Sequence, residues 1–236
     1  SQPVMLGSYT IKLRFSAGIL RFPDVANNVE ELMEGASRAR RQACRYQGNY
    51  WHQLNNEMVL LIREDKWLES ELRQAITKQQ CFVVYQPQYD LQTGHIVSAE
   101  VLIRWRHPEY GLVPPDRFIP IAERSGQILD IDLWVLEQAC ICMRRLMAKG
   151  IIDFRLAVNA SGTELSNPVY PEQVSSMLRR YNIPPQRFGI EITETAIVEL
   201  DEVAKMMVKT LKEIGLEIEL DDFGTGYSSL SYLKRF

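Results

Sequence analysis

Six acidic or amide residues lie inside, or at the ends of, otherwise apolar segments: Glu100, Asn159, Glu191, Glu194, Asp221 and Asp222. Carboxylates are almost never fully buried without a partner, so their repetition at similar places in several strand-like segments indicates a shared cation. Each one taken singly could instead be a solvated strand end or half of a structural ion pair. Oxygen ligands without sulfur or imidazole favour Mg²⁺ or Mn²⁺ over Zn²⁺.

The adjacent acids Asp221 and Asp222 indicate which type of metal-dependent reaction to expect. Two like charges so close repel each other and raise a pKa unless a metal ion neutralises them. One of the two carboxylates could bridge two ions. Two ions roughly 3.5 to 4 Å apart would activate a water and stabilise the leaving oxygen of an in-line phosphoryl displacement. The pattern therefore predicts hydrolysis of a phosphodiester.

Two further features could contact a phosphate or respond to one. Arg104 follows Glu100 by four residues, and its planar guanidinium could bind a phosphate, although a surface ion pair is the alternative. Gly224 and Gly226 form a turn directly after the acidic pair, and such a loop could report on metal or ligand occupancy. An ordinary strand-to-helix loop would carry the same glycines.

The elements that must position these residues alternate from Cys81 onward between apolar strands and amphipathic helices, which is typical of parallel α/β architecture. The predicted strands are residues 81–87, 97–105, 154–161, 188–195 and 216–224, and the predicted crossover helices include residues 131–150 and 171–182. In a β/α barrel the strand ends converge on one face. Residues distant in sequence would therefore meet there.

The first quarter of the chain has a different pattern. Its predicted elements are a half-buried strand over residues 9–22, a helix from Val29 that ends at Gly48-Asn49, a strand or connector over residues 51–63, and an amphipathic helix over residues 65–78. We therefore predict a domain boundary near residue 64, between a segment 1–64 and a segment 65–236.

Composition excludes several classes of protein. With 46% hydrophobic and 24% charged residues, the chain of 236 residues can bury a core. Its net charge of -3 gives no electrostatic footprint for duplex nucleic acid. The cysteines lack CxxC spacing and the histidines lack an HExxH pattern, so any metal must be held by oxygen. No apolar run reaches the roughly 18 to 20 residues of a membrane span, so we expect no membrane contact by this segment itself.

Six segments, in this order and spacing, resemble an EAL domain: YQP at 85–87, EVLIRW at 100–105, FIPIAE at 118–123, VNASGTEL at 158–165, EITET at 191–195 and DDFGTGYSSLSYLK at 221–234. The resemblance extends from about residue 66 to the end. It implies a modified TIM-type (β/α) barrel with an antiparallel first strand. It also implies hydrolysis of cyclic di-GMP to linear pGpG in bacterial second-messenger signalling, by water that Mg²⁺ or Mn²⁺ activates.

The same resemblance implies roles for individual residues. The resemblance implies four ligands for the first metal ion: Glu100, Asn159, Glu191 and Asp221. It also implies that Asp221 is shared with a second ion and that Asp222 lies toward that second ion. Glu194 resembles the residue that holds the glycine-containing loop, and Gln86, Leu102 and Arg104 resemble substrate contacts. The loop over residues 225–233 resembles the element that links the site to a dimer interface, so a homodimer is expected.

Two departures from the family pattern bear on activity. Val101 replaces the alanine of the name motif, and we expect little effect because it is not a ligand. The family's metal-proximal lysine, and a later glutamate and glutamine, would follow the last residue, so the barrel is expected to be incomplete at its carboxyl end. Activity is therefore expected of a longer parent rather than of this polypeptide alone.

Residues 9–50 resemble the last strand and helix of a GGDEF domain, although Ser37-Arg38-Ala39 departs from the Ala-Asp-x-Ala of that family. We expect a regulatory or dimerising remnant, with a purely structural role as the alternative. The alternatives to an enzyme are a non-catalytic cyclic di-GMP receptor and a protein-interaction scaffold. A cytoplasmic location is expected for this part, and an inner-membrane anchor in the parent is left open.

Overall fold

The computed structural model describes residues 4–6, 9–11, 15–21, 28–44, 50–53, 55–193 and 201–221. The chain divides into two compact units between Glu71 and Leu72, inside the helix Asn56–Ala75. The boundary that we predict near residue 64 lies in the same helix.

The first unit contains two pairs of short strands, one complete helix and most of a second helix. Strands β1 (Val4–Leu6) and β2 (Tyr9–Ile11) pair antiparallel, β3 (Ser16–Ile19) and β4 (Tyr50–Gln53) pair parallel, and the helices are α1 (Val29–Cys44) and α2 (Asn56–Ala75). A Cβ at Gly18 of β3 would lie 2.1 Å from the Ala36 carbonyl oxygen of α1. Only glycine permits this approach of helix and strand.

Two predictions for this unit are wrong. The alternating pattern over residues 9–22 predicts one strand, whereas the described residues form the separate strands β2 and β3. Residues 56–63 are helical rather than a strand or connector, because the Asn55 side chain accepts a hydrogen bond from the Met58 amide at 2.9 Å and caps α2. Met58 and Ile62 then share a buried face at helical spacing. The predicted stop at Gly48-Asn49 lies outside the described residues.

The second unit is built on one mixed sheet of six strands. These are β5 (Cys81–Tyr89), β6 (Ile96–His107), β7 (Gly111–Val113), β8 (Arg155–Asn159), β9 (Phe188–Thr193) and β10 (Glu217–Asp221). The order is β10-β9-β8-β6-β5, with β7 paired to β6. Strands β6, β8, β9 and β10 are parallel, and β5 is antiparallel to β6. The predicted antiparallel first strand is confirmed.

Helices connect the parallel strands. They are α3 (Pro115–Ser125), α4 (Ile128–Ala148), α5 (Gly162–Leu165), α6 (Tyr170–Tyr181) and α7 (Glu202–Ile214). The predicted helices 131–150 and 171–182 correspond to α4 and α6. Helix α7 begins where the Asp201 carboxylate accepts the Ala204 amide at 2.8 Å, and it ends at Gly215 with a φ of 105°. No helix in the described ranges is long and apolar enough to cross a membrane.

Side chains alternate along β6, so that one face of the strand packs in the core and the other face carries the predicted site residues. Val101, Ile103 and Trp105 are buried on one face. Trp105 meets the Phe118 ring of α3 edge-on, with the ring centroids 5.7 Å apart, and its indole N–H donates to Gln80 Oε1 at 3.0 Å. Because side chains alternate along a strand, Glu100 and Arg104 lie on the opposite face.

Candidate functional site

Polar side chains from five strands share the face of the sheet opposite Trp105. Across the antiparallel pair, Gln86 lies opposite Glu100. Across the parallel pairs, Asn159 is level with Glu191, and Glu191 is level with Glu219 of β10. Since strand register places paired residues on one face, predicted site residues far apart in sequence, such as Glu100 and Asn159 at a separation of 59 positions, are neighbours here.

Hydrogen bonds join the predicted metal ligands of neighbouring strands. The Asn159 side-chain amide donates to Glu100 Oε1 at 2.7 Å. A second chain of bonds runs from the Ser98 hydroxyl to Gln88 Oε1 at 2.5 Å, and from the Gln88 amide to Glu191 Oε1 at 3.1 Å. These bonds fix the orientation of Glu191 and leave its second oxygen available.

Glu191 is the most confined acid of this face, with 5% of its surface exposed. Burial, together with the neighbouring charge and hydrogen bonding of Glu100, raises its pKa to about 8, and the Gln88 hydrogen bond opposes the shift. Its Oε2 meets no hydrogen-bond donor among the described residues. At neutral pH this carboxyl group must therefore hold a proton or face a cation.

The donors on this face are of the type that suits a hard divalent cation. Glu100, Asn159 and Glu191 offer carboxylate and amide oxygens, and one oxygen of Glu191 has no described partner. Within the described ranges, however, no three residues among His, Cys, Asp and Glu are grouped so as to hold a metal ion by themselves. The predicted meeting of Glu100, Glu191 and Asp221 around one ion therefore stays a prediction.

The remaining predicted metal ligands are only partly placed. Asp221 ends β10, is half-buried and is level with Thr193. Glu194, Asp222 and the loop over residues 225–233 lie outside the described residues.

A cavity of about 320 Å³ is lined by residues of β6 and β8 and of helices α3 and α4. Two of the three predicted substrate contacts, Leu102 and Arg104, line it together with Asn159. The Arg104 guanidinium is half-buried and donates one hydrogen bond, at 2.8 Å, to the Ile103 carbonyl. The third predicted contact, Gln86, is exposed on β5 and is not part of the lining. The volume lies in the range of small-molecule sites.

A second pair of acids consists of Asp132 of α4 and Glu164 of α5, whose carboxyl groups are hydrogen-bonded to each other. Glu164 is fully buried and forms a capping box with Ser161, whose backbone N–H donates to Glu164 Oε2 at 2.8 Å. Burial raises the pKa of Glu164 to about 7. Burial and the adjacent Glu164 also raise the pKa of Asp132, which lines the cavity.

The sequence interpretation missed five residues of these two clusters: Gln88, Ser98, Glu219, Asp132 and Glu164. For Glu219 a signal was present, because Glu217, Glu219 and Asp221 alternate along β10 and so share a face. The capping-box spacing from Ser161 to Glu164 was also visible. Nothing in the local sequence marks Gln88 or Ser98, whose contacts depend on the pairing of β5 with β6.

Curated relatives match essentially the whole of this chain, and MucR and PdeR are two of them. The bifunctional diguanylate cyclase/cyclic di-GMP phosphodiesterase MucR of Pseudomonas aeruginosa is 34% identical over 235 residues, which cover 100% of this chain and 34% of MucR. The cyclic di-GMP phosphodiesterase PdeR of Escherichia coli is 32% identical over 234 residues, covering 99% of this chain and 35% of PdeR. The chain thus spans about a third of the length of these relatives.

Solved structures agree with this likeness. The PaMucR phosphodiesterase in complex with c-di-GMP superposes with a TM-score of 0.69 at 37% identity, covering 72% of this chain and 69% of that one. The EAL enzyme Bd1971, in its cAMP-bound and cyclic-di-GMP-bound form, gives a TM-score of 0.70 at 26% identity over 89% of this chain and 55% of that one. A model of the EAL domain matches residues 69–236, which are most of the chain. The chain therefore belongs to the EAL domain family.

Proposed function

We propose that this chain is the phosphodiesterase part of a bacterial signalling protein and hydrolyses cyclic di-GMP to linear pGpG. The observation that carries the proposal is the environment of Glu191, which is almost fully buried with one oxygen lacking a described donor. The Glu100–Asn159 pair lies on the same face, and Asn159 also lines the cavity that contains Arg104. The relatives MucR and PdeR are named as phosphodiesterases of this nucleotide.

The cofactor of the proposal is Mg²⁺ or Mn²⁺. The residues that would hold it are Glu100, Asn159, Glu191 and Asp221, with Asp222 toward a second ion. Such ions, when bound, activate the attacking water and neutralise charge on the phosphate and leaving oxygen. The Ser98–Gln88–Glu191 chain of hydrogen bonds holds Glu191 in a fixed orientation toward this site.

The substrate side of the proposal rests on the cavity. Arg104, half-buried in its wall, would bind a phosphate oxygen of the cyclic dinucleotide through its planar guanidinium. Leu102 supplies an apolar wall for the base or sugar, and Gln86 would contact the nucleotide from β5. Glu194 would hold the glycine-containing loop that follows Asp222.

The wider organisation belongs to the same proposal. Residues 65–236 form a modified TIM-type barrel, to which the mixed sheet with its antiparallel β5 contributes. Residues 1–64 are the end of a GGDEF-like domain and a connector, which is supported by the extension of the MucR match over the whole chain. The loop over residues 225–233 connects the site to a homodimer interface, and this part of the protein works on the cytoplasmic side.

Product chromatography tests the proposal. The longer parent protein, as wild type and as the Asp221→Ala variant, is incubated with cyclic di-GMP and Mg²⁺ or Mn²⁺, and the nucleotides are separated and quantified. We expect metal-dependent formation of pGpG by the wild type and none by D221A. Hydrolysis by D221A at the wild-type rate would contradict the mechanism. Binding of the nucleotide by the wild type without any product would instead favour the receptor alternative.

A further inference from the structure

Glu219 is an acid inside the sheet face that no part of the proposed mechanism uses. It lies on β10, level with Glu191 of β9 and two residues before Asp221. Its side chain is half-buried, and its Oε1 is buried without a hydrogen-bond partner in the described part of the chain. A buried carboxylate oxygen without a donor is costly, so its presence needs a physical reason.

Gly189 provides the space that the Glu219 carboxylate occupies. A Cβ placed on Gly189 would lie 2.6 Å from Glu219 Oε1 and 3.2 Å from its Cδ. The backbone of Gly189 does not have a positive φ, so steric room, not backbone conformation, is what glycine supplies here. Gly189 precedes Glu191 by two residues on the same face, so the Glu219 carboxylate lies directly alongside Glu191, on the side away from the strand end.

The two acids have no described counter-charge. No ion pair joins Glu191 or Glu219 to another described residue. The nearby acid Glu217, also on β10, does pair with Arg155 of β8. Without a cation, this arrangement of Glu191 and Glu219 concentrates negative charge in a confined space and opposes folding. With a cation, the same charge is attractive.

We propose that Glu219 is a positioning residue that raises the affinity of the site at Glu191 for a divalent cation, acting from its place over Gly189 without itself being a ligand. The inference rests on the proposed function, because it requires that a cation binds at Glu191. Groups that surround metal ligands typically change metal affinity by about 10- to 100-fold. Glu219 should therefore destabilise the metal-free protein and tighten metal binding.

The test compares Mn²⁺ binding and thermal unfolding in three proteins: the wild type, Glu219→Gln and the control Glu213→Gln. The control removes one negative charge from an exposed position on α7 that faces Lys209. For E219Q we expect a Kd for Mn²⁺ about 10- to 100-fold weaker, measured by titration calorimetry, and a higher Tm without metal than the wild type. For E213Q we expect the wild-type Kd.

The expected combination, a weaker Kd for Mn²⁺ with a higher metal-free Tm, distinguishes this inference from a purely structural role of Glu219. If E219Q lowers the metal-free Tm as well as the affinity, or leaves the affinity unchanged, Glu219 does not act on the cation and the inference is wrong. If the wild type itself binds no Mn²⁺, the proposed function fails with it. Wild-type binding with an unaltered E219Q overturns the inference alone.

A second variant tests the position of the carboxylate over Gly189. The substitution Gly189→Ala places a methyl group where the Glu219 carboxylate lies, so it should lower the Tm and change the Mn²⁺ affinity in the wild type. In a Glu219→Ala background the same methyl group has room, and both effects should be much smaller. Equal effects of G189A in the two backgrounds would contradict the assigned position and overturn the inference.

Discussion

Two groups of acids are buried in the second unit, and they differ in their hydrogen-bond partners and in the structural element they belong to. Glu164 accepts the backbone N–H of Ser161, and its carboxyl group faces that of Asp132, with which it can share a proton. Glu191 accepts the neutral Gln88 amide, hydrogen-bonds with the Glu100 carboxyl group and lies level with Glu219. The first acid completes a helix start, whereas the second does not, although each has one buried oxygen without a hydrogen-bond partner among the described residues.

The difference shows when a buried carboxylate indicates a ligand. The raised pKa is common to Glu164 and Glu191, and burial is its main cause in both. A shifted pKa alone therefore does not distinguish a structural acid from a functional one. What distinguishes them is their surroundings: a capping box places Glu164 at a helix start, whereas Glu191 lies on a strand face with Glu100, Asn159 and Glu219.

The largest expected effect is the loss of activity when Glu191 becomes Gln. The variant keeps the shape of the side chain but removes the charge at the centre of the site, so hydrolysis of cyclic di-GMP should fall by more than about 100-fold. The matched control is Glu164→Gln, which keeps a capping-box acceptor and should retain activity within about tenfold. Equal losses in E191Q and E164Q, measured by pGpG formation, would remove the distinction between the two groups.

The next effect concerns the cavity lined by Arg104 and Asp132. Replacing Arg104 by Ala removes a charge-assisted hydrogen bond to phosphate, and such bonds contribute about 1.5–3 kcal/mol, or roughly 10- to 150-fold in kcat/KM. Arg144→Ala, on an exposed part of α4, is the control and should behave as the wild type. A kcat/KM for R104A equal to that of R144A would exclude Arg104 from substrate binding.

The acid pair at α5 should produce a pH-dependent stability. The pKa of Glu164 rises from its ordinary value of 4.5 to about 7 on folding. Between these values the folded protein binds the proton more tightly than the unfolded chain, so the free energy of unfolding falls as pH rises through this window. In Glu164→Gln this decrease should shrink by an amount on the order of 1–3 kcal/mol.

Urea unfolding at pH 5 and pH 8 measures this difference. The exposed Glu172→Gln serves as the control, and it should keep the pH dependence of the wild type. An E164Q protein whose stability still falls with pH as steeply as that of the wild type would show that the Asp132–Glu164 pair does not hold the proton.

The smallest effect is expected at Asp201, which caps α7 through the Ala204 amide. Because its carboxylate has only this structural role, Asp201→Ala should cost about 1 kcal/mol of stability and leave the Mn²⁺-induced rise in Tm unchanged. A D201A protein that lost this metal response would show that acids outside the Glu191 face also contribute to cation binding.

Several parts of this molecule follow directly from local sequence. The apolar segments around Glu100, Asn159 and Glu191 are strands because alternation and β-branched residues are local signals, and α4 and α6 follow from helical spacing. The predicted start of α2 is wrong. The helix begins earlier because Asn55 caps it by accepting the Met58 amide, and because Met58 and Ile62 are buried on one helix face. Neither effect is marked by the local sequence.

The contacts of the site needed the structure. The sequence predicts that Glu100, Asn159 and Glu191 approach one another, since parallel strands align their ends. It does not show that Gln88 bonds to Glu191, because that contact depends on the register of β5 against β6. It also does not show that Glu219 fills the space over Gly189, which is set by the register of β10 against β9.

The central claim is that acids from separate strands hold a divalent cation beside Glu191, and a crystal grown with Mn²⁺ tests it most directly. Anomalous difference density collected at the manganese edge locates the ion independently of any model of the side chains. The account predicts a peak within coordination distance of Glu191 Oε2, with Glu100 and Asn159 as further ligands. A peak elsewhere, or none beside Glu191 at saturating Mn²⁺, would contradict it.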